Sequence, residues 1–142
     1  MPSPVAQRPD QRAFPPRLIL DAGAVIALSR ADVRARAALT AAVEAGSEVS
    51  IPAVVVAETV RGSATDAPVN RVAKAVGQVD PIDEAIGRTA GRLLGEADSS
   101  ETVDAIVVAT AVEAQGAVVL TGDPTDFRAL AIGHCEVVIE AL

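Results

Sequence analysis

The chain has 142 residues, half of them apolar, and a formal net charge of −7 at pH 7. Its length specifies one domain able to bury about two thirds of its unfolded surface, with a core of Ala, Val, Leu and Ile, since there are two Phe and no Trp or Tyr. One cysteine excludes an internal disulfide, the lack of any apolar run near about 18 residues excludes a membrane helix, and a lone lysine in an acidic chain argues against gripping long nucleic acids by charge alone.

Residues 1–16 contain Pro2, Pro4, Pro9, Pro15 and Pro16 and read as a disordered leader, because proline blocks regular helix and central strand. They carry Arg8, Asp10 and Arg12 without an apolar h-region, so they are not a secretory signal. Residues 17–142 form the folded unit. RLIL at 17–20 predicts a first strand buried on both faces, since it does not alternate. A short helix follows over Ala24 to Ser29. Asp32 then caps a helix that stops at Gly46.

EVSI predicts a second strand. Pro52 is expected at the N1 position of a helix over AVVVAET, which the trailing Gly62 favours over strand despite three consecutive valines. A polar helix around VNRVAKAVGQ, a short strand near VDPI and a helix from Asp83 to Gly95 come next. Asp98 to Glu101 reads as a capping box that starts a helix running to Gln115. AVVLT is a strand, DFRAL a short helix, and CEVVIEAL the last strand. Helices alternating with all-apolar strands predict a single α/β domain with a central parallel sheet flanked by helices.

Four acids stand apart from the rest. Asp104 lies inside TVDAIVVATAV and Glu58 inside AVVVAETV, both in runs expected to face the interior; Asp21 ends LIL, and Asp123 follows AVVLTG. A carboxylate in an apolar setting is costly unless it is paired or binds a cation. In open α/β sheets functional residues gather at the carboxyl ends of the strands, where Asp21 and Asp123 belong. Several converging carboxylates raise one another's pKa, and a bound divalent cation relieves that repulsion. An all-carboxylate set without His or Cys selects Mg²⁺ or Mn²⁺ over Zn²⁺.

Other polar residues read more simply. Asp123-Pro124 is also an ordinary helix start, with Asp126 at N3. Arg61 follows Glu58 by one turn, placed to pair with it or to meet a phosphate; Ser29 ends a helix; His134 reads as structural and Cys135 as a small buried hydrophobe. A phosphoaspartyl enzyme built on Asp21 fails on residues present: the second Asp that such phosphatases need two positions on is Gly23, and the only lysine, Lys74, lies in a polar helix.

In order, LILDAGAVIAL, PAVVVAETVRG, TVDAIVVATA and VVLTGDPTDF resemble the PIN domain, and within it the VapC toxins of bacterial toxin–antitoxin pairs. The resemblance covers nearly everything from Arg17 onward and rests on the ordered set rather than on any one segment. It implies acidic site residues at Asp21, Glu58, Asp104 and Asp123, with Asp126 as a fifth metal candidate and Thr121 as an orienting hydroxyl. It implies a cytoplasmic, Mg²⁺-dependent endoribonuclease in which Mn²⁺ can substitute. RNA is the substrate, a small antitoxin protein the partner, and a homodimer the expected assembly. Two cations about 3.5–4 Å apart would serve the hydrolysis, Asp21, Glu58 and Asp104 holding the tighter one. The alternatives are a catalytically inactive PIN-like binding module and a PIN nuclease acting on structured DNA. For the latter the chain lacks length for DNA-gripping elements. The Pro-rich leader departs from the family pattern.

Overall fold

The computed structural model describes residues 16–142. The leader expected over residues 1–16 therefore lies outside the described residues, apart from Pro16. Five strands form one parallel sheet: β1 (Arg17–Leu20), β2 (Glu48–Pro52), β3 (Val79–Asp80), β4 (Ala117–Thr121) and β5 (Val137–Ala141). Their order across the sheet is β3-β2-β1-β4-β5. Seven α-helices connect them: α1 (Ala22–Ser29), α2 (Val33–Glu44), α3 (Ala53–Thr59), α4 (Ala67–Val76), α5 (Glu84–Ala97), α6 (Thr102–Glu113) and α7 (Pro124–Leu130), with a short 3₁₀ turn over Ala64–Asp66. The predicted α/β class and parallel sheet are the observed ones.

The central strands are buried because helices cover them. Ile19, Leu20, Val119 and Leu120 are almost wholly enclosed, together with Val25, Ile51, Val55, Leu93, Val107, Val108 and Phe127. Helices α5, α6 and α7 pack against one another. Helices α2 and α4 each pack on α1, and α3 touches both α1 and α6. Helix α6 buries six residues, the small Ala105, Ala109 and Ala111 among them, so it sits close to α5 and the sheet. Helix α2 is the opposite case: only Ala35 is fully buried, Val33 stays 80% exposed, and a groove of about 550 Å³ runs along each flank.

Several local expectations need correction. Pro52 is the last residue of β2 and the N-cap of α3, not its first helical residue; its ψ of 143° is extended. The capping box over Asp98 to Glu101 does not form. Helix α5 runs past Gly95 to Ala97, leaving Asp98 as its left-handed C-cap with φ 49°, and α6 starts only at Thr102. Cys135 is exposed instead of buried, because residues 131–136 form the turn into β5. Gly46 ends α2 as expected, with φ 85°. No helix among the described residues is long and apolar enough to cross a membrane.

Candidate metal centre

Strands β1 and β4 are neighbours, with Leu20 beside Leu120. The two chain segments that leave their carboxyl ends are therefore side by side, and they carry Asp21 and Asp123 on adjacent elements. This is the switch point of the sheet, where α/β folds open a crevice. The crevice here is a cavity of about 310 Å³ lined by Asp21, Ala22, Gly23, Glu58, Asp104, Val107, Gly122, Asp123 and Phe127.

Asp21 is the N-cap of α1: its Oδ1 accepts from the Ala24 N–H at 2.8 Å. It is buried, 6% exposed. Burial pushes its carboxyl above the ordinary 3.8, and the Thr121 hydroxyl and the N–H groups of Ala24, Gly122 and Gly23 pull in the opposite direction. Thr121 is wholly enclosed and also accepts the Asp123 N–H on its Oγ1 at 2.9 Å. One hydroxyl thus ties Asp21 to the turn that carries Asp123.

Glu58 comes from the last turn of α3, which reaches the cavity by packing on α1 and α6. Expected on an inward face, it is exposed instead. Helix α3 has only seven residues and fully buries only Val55, so its C-terminal turn opens to the cavity mouth. Partial burial and then the Asp21 charge raise its pKa, with Arg61 opposing. Arg61 turns its guanidinium back to the Ala57 and Val60 carbonyls, both at 3.1 Å. The loop behind it is held by Asp66, whose carboxylate accepts N–H bonds from Arg61, Gly62 and Ser63. Those bonds, led by Arg61, hold the Asp66 carboxyl below its usual value.

Asp104 lies in the first turn of α6, half-buried. Burial, and then the charges of Glu101, Glu58, Asp123 and Asp126, push its pKa from 3.8 up to about 6. Asp123 caps α7 by position, but its side chain makes no capping hydrogen bond. Its carboxylate is left to face the cavity. Asp126 is exposed; a hydrogen bond to Asp123, then the Asp123 charge, raises its pKa. One carboxylate oxygen from each of Asp104, Asp123 and Asp126 lies within 4.8 Å of the other two.

All five acids named from the sequence therefore meet at one edge. They fall into two groups, Asp21 with Glu58 and Asp104 with Asp123 and Asp126, joined through the repulsion between Glu58 and Asp104. Glu101 was missed. It was read as part of a cap, yet it is the foremost charge acting on Asp104 and also acts on Asp126. Its three-residue spacing from Asp104 on one helical face was the available signal. Ser29 and His134 stand elsewhere: the Ser29 hydroxyl donates to the Ile26 carbonyl at 2.6 Å, and His134 sits 3.7 Å from both Glu96 and Glu136. No His or Cys lines the cavity, and the clustered oxygens with a proton-retaining Asp104 are a donor set that fits a hard divalent cation.

The fold has known counterparts. VapBC2 from Rickettsia felis, bound to a DNA fragment from its promoter, aligns with a TM-score of 0.70 at 12% identity, over 88% of this chain and 98% of that one. A toxin–antitoxin complex from Klebsiella pneumoniae gives 0.65 at 21%, over 85% and 95%. DNA-bound VapBC from Salmonella typhimurium gives 0.66 at 15%, over 89% and 98%. At such identities the likeness shows the fold alone. No curated protein sequence matches significantly. The PIN domain model matches residues 18–133, which run from β1 to the turn before β5, and the chain belongs to the PIN domain family.

Proposed function

We propose that this chain is a metal-dependent endoribonuclease and the toxin of a toxin–antitoxin pair. The observation that carries the reading is the convergence of Asp21, Glu58, Asp104 and Asp123, from four separate elements, on one cavity with no His or Cys. Burial, and then the repulsion of Glu101, Glu58, Asp123 and Asp126, raises the Asp104 pKa to about 6, as expected of carboxylates gathered for a cation. Asp104, Asp123 and Asp126 would hold one Mg²⁺ or Mn²⁺, with Asp21 and Glu58 completing its surroundings or holding a second. When bound, such cations supply charge neutralisation and an activated water for in-line phosphodiester hydrolysis. The chain's own part is positional: Thr121 orients Asp21 and the Asp123 turn, and Phe127 and Val107 wall the cavity.

A nucleic-acid substrate fits where most of the unpaired cations lie, and RNA is the member of that class we propose. Arg17, Arg88 and Arg92 are held in ion pairs. Among the described residues Arg30, Arg34, Arg36, Arg61, Arg71, Lys74 and Arg128 form none, and five of these seven lie on α2, on α4 or at the end of α1. Helix α1, capped by Asp21, is about 12 Å long at 1.5 Å per residue, so Arg30 at its far end would meet a phosphate further along a bound strand than the one at the cavity. The small antitoxin would lay an apolar segment in the groove between α1, α2 and α4, where Leu28, Leu39, Val43, Val72 and Val76 line the wall with Arg36 and Arg71. A homodimer belongs to the same proposal, and sedimentation tests it.

Induced expression in a bacterium, alone and with the adjacent reading frame, is the direct assay. Growth arrest relieved by the partner and absent in Asp104→Asn is the expected result, with RNA cleavage in Mg²⁺ or Mn²⁺. Arrest that persists in Asp104→Asn would refute the metal chemistry. No arrest and no cleavage of any RNA pool would make the chain a binding module, and cleavage confined to structured DNA would change the substrate.

A further inference from the structure

The first turn of α1 and the turn after β4 meet backbone to backbone, and Gly23 is the point of contact. A Cβ built on Gly23 would lie 3.0 Å from the Gly122 nitrogen, 3.2 Å from the Gly122 Cα and 3.4 Å from Asp21 Oδ1. The first two are backbone atoms, which yield only if the whole turn moves. That turn is also the one whose Gly122 N–H faces the Asp21 carboxylate closely enough to lower its pKa, and whose next residue is Asp123. Nothing about φ explains this glycine, since its φ is ordinary for a helix start; the missing side chain is what the packing uses.

We infer that Gly23 is a positioning residue: its missing side chain lets the Gly122 turn close on Asp21, and this closure sets the separation of Asp21 and Asp123. The inference rests on the metal-site reading above for its consequence, though not for the contact itself. A methyl group at residue 23 pushes the Gly122 turn outward by a few tenths of an ångström. The Gly122 N–H draws away from the Asp21 carboxylate, and Asp123 moves with its peptide. Metal sites tolerate only about 0.2 Å of error in ligand placement, and loss of a hydrogen bond that orients a ligand costs about 10- to 100-fold in affinity.

The test is Gly23→Ala in the full chain, read by Mn²⁺ titration calorimetry and by amide hydrogen exchange at Gly122 without added metal. Gly91→Ala on the exposed face of α5, where an added Cβ meets nothing within 4 Å, controls for the glycine-to-alanine change in a helix. We expect Gly23→Ala to keep its helical circular dichroism, exchange the Gly122 amide faster, and bind Mn²⁺ about tenfold more weakly, with Gly91→Ala unchanged. Wild-type affinity in Gly23→Ala overturns the inference. If wild type binds no Mn²⁺, the metal reading fails, and the Gly122 amide alone decides the contact: protected in wild type and faster in the variant supports it. If Gly23→Ala does not fold, a Gly122 amide exchanging at the solvent rate in wild type overturns it, and a protected one supports it.

Discussion

Asp104→Asn should stabilise the chain in the absence of divalent cations while destroying the centre. Asp104 is half-buried amid Glu101, Glu58, Asp123 and Asp126, and burial followed by those charges raises its pKa from 3.8 to about 6. A displacement of that size is at most about 3 kcal/mol, and a group this open to solvent keeps about half of it, 1–2 kcal/mol. The sign follows from linkage. Between about pH 4 and 6 the folded chain holds a proton that the unfolded chain has released, so stability falls as pH rises through that window and stays low above it. Asn removes the charge and with it the penalty. In a chelating buffer at pH 7.5 the variant should therefore unfold about 3–6 °C higher than wild type, and near pH 4 the two should converge. Saturating Mn²⁺ should reverse the order, because binding at 100 times Kd stabilises the wild type by about 2.7 kcal/mol. Thermal unfolding across pH, with chelator and with Mn²⁺, is the assay. A variant that melts at or below wild type at pH 7.5 in chelator would refute the claim that Asp104 is held there at electrostatic cost.

Three further outcomes follow from the geometry. Thr121→Val keeps the shape of a wholly enclosed side chain but leaves the Asp123 N–H and the Asp21 carboxylate without their shared hydroxyl; urea unfolding should show a loss of about 1–3 kcal/mol together with weaker Mn²⁺ binding. Asp123→Asn should cost more Mn²⁺ affinity than Asp126→Asn, since of these two exposed acids only Asp123 lines the cavity; helical content should hold in both, because Asp123 makes no capping bond to lose. Asp66→Ala should lower the unfolding midpoint at pH 7 by stranding the Arg61, Gly62 and Ser63 N–H groups. That difference should shrink in acid, as pH falls through the depressed pKa of Asp66 and its carboxylate protonates.

Residues with strong local character were legible in the sequence, and those decided by tertiary contact were not. The unalternating RLIL and AVVLT reported strands covered on both faces, and Gly46 reported a helix end, because burial and left-handed φ leave marks on single residues. Asp98 misled because Asp suits both an N-cap and a left-handed C-cap; the length of α5, set by packing on α6, decided between them. Glu58 was placed inward from its valine neighbours, but α3 is too short for helical periodicity to fix the exposure of its last turn. The convergence of the acids was readable from the place of Asp21 and Asp123 at the carboxyl ends of parallel strands. Which oxygens lie nearest one another was not, since Asp104, Asp123 and Asp126 are brought together by the docking of α7 on α6.

Helix α2 carries a consequence for the lifetime of the chain. A twelve-residue helix with one fully buried side chain, and with Val33 and Val43 facing solvent, has little apolar area to lose on opening. Its amides should exchange through local unfolding at a lower free energy than those of α6, and within the folded, described residues a protease should reach 33–44 well before α6. The chain's half-life among proteases is then governed by how often α2 opens rather than by global unfolding. A partner segment laid in the groove on the α4 flank would close that route, so the bound chain would persist where the free chain is cut.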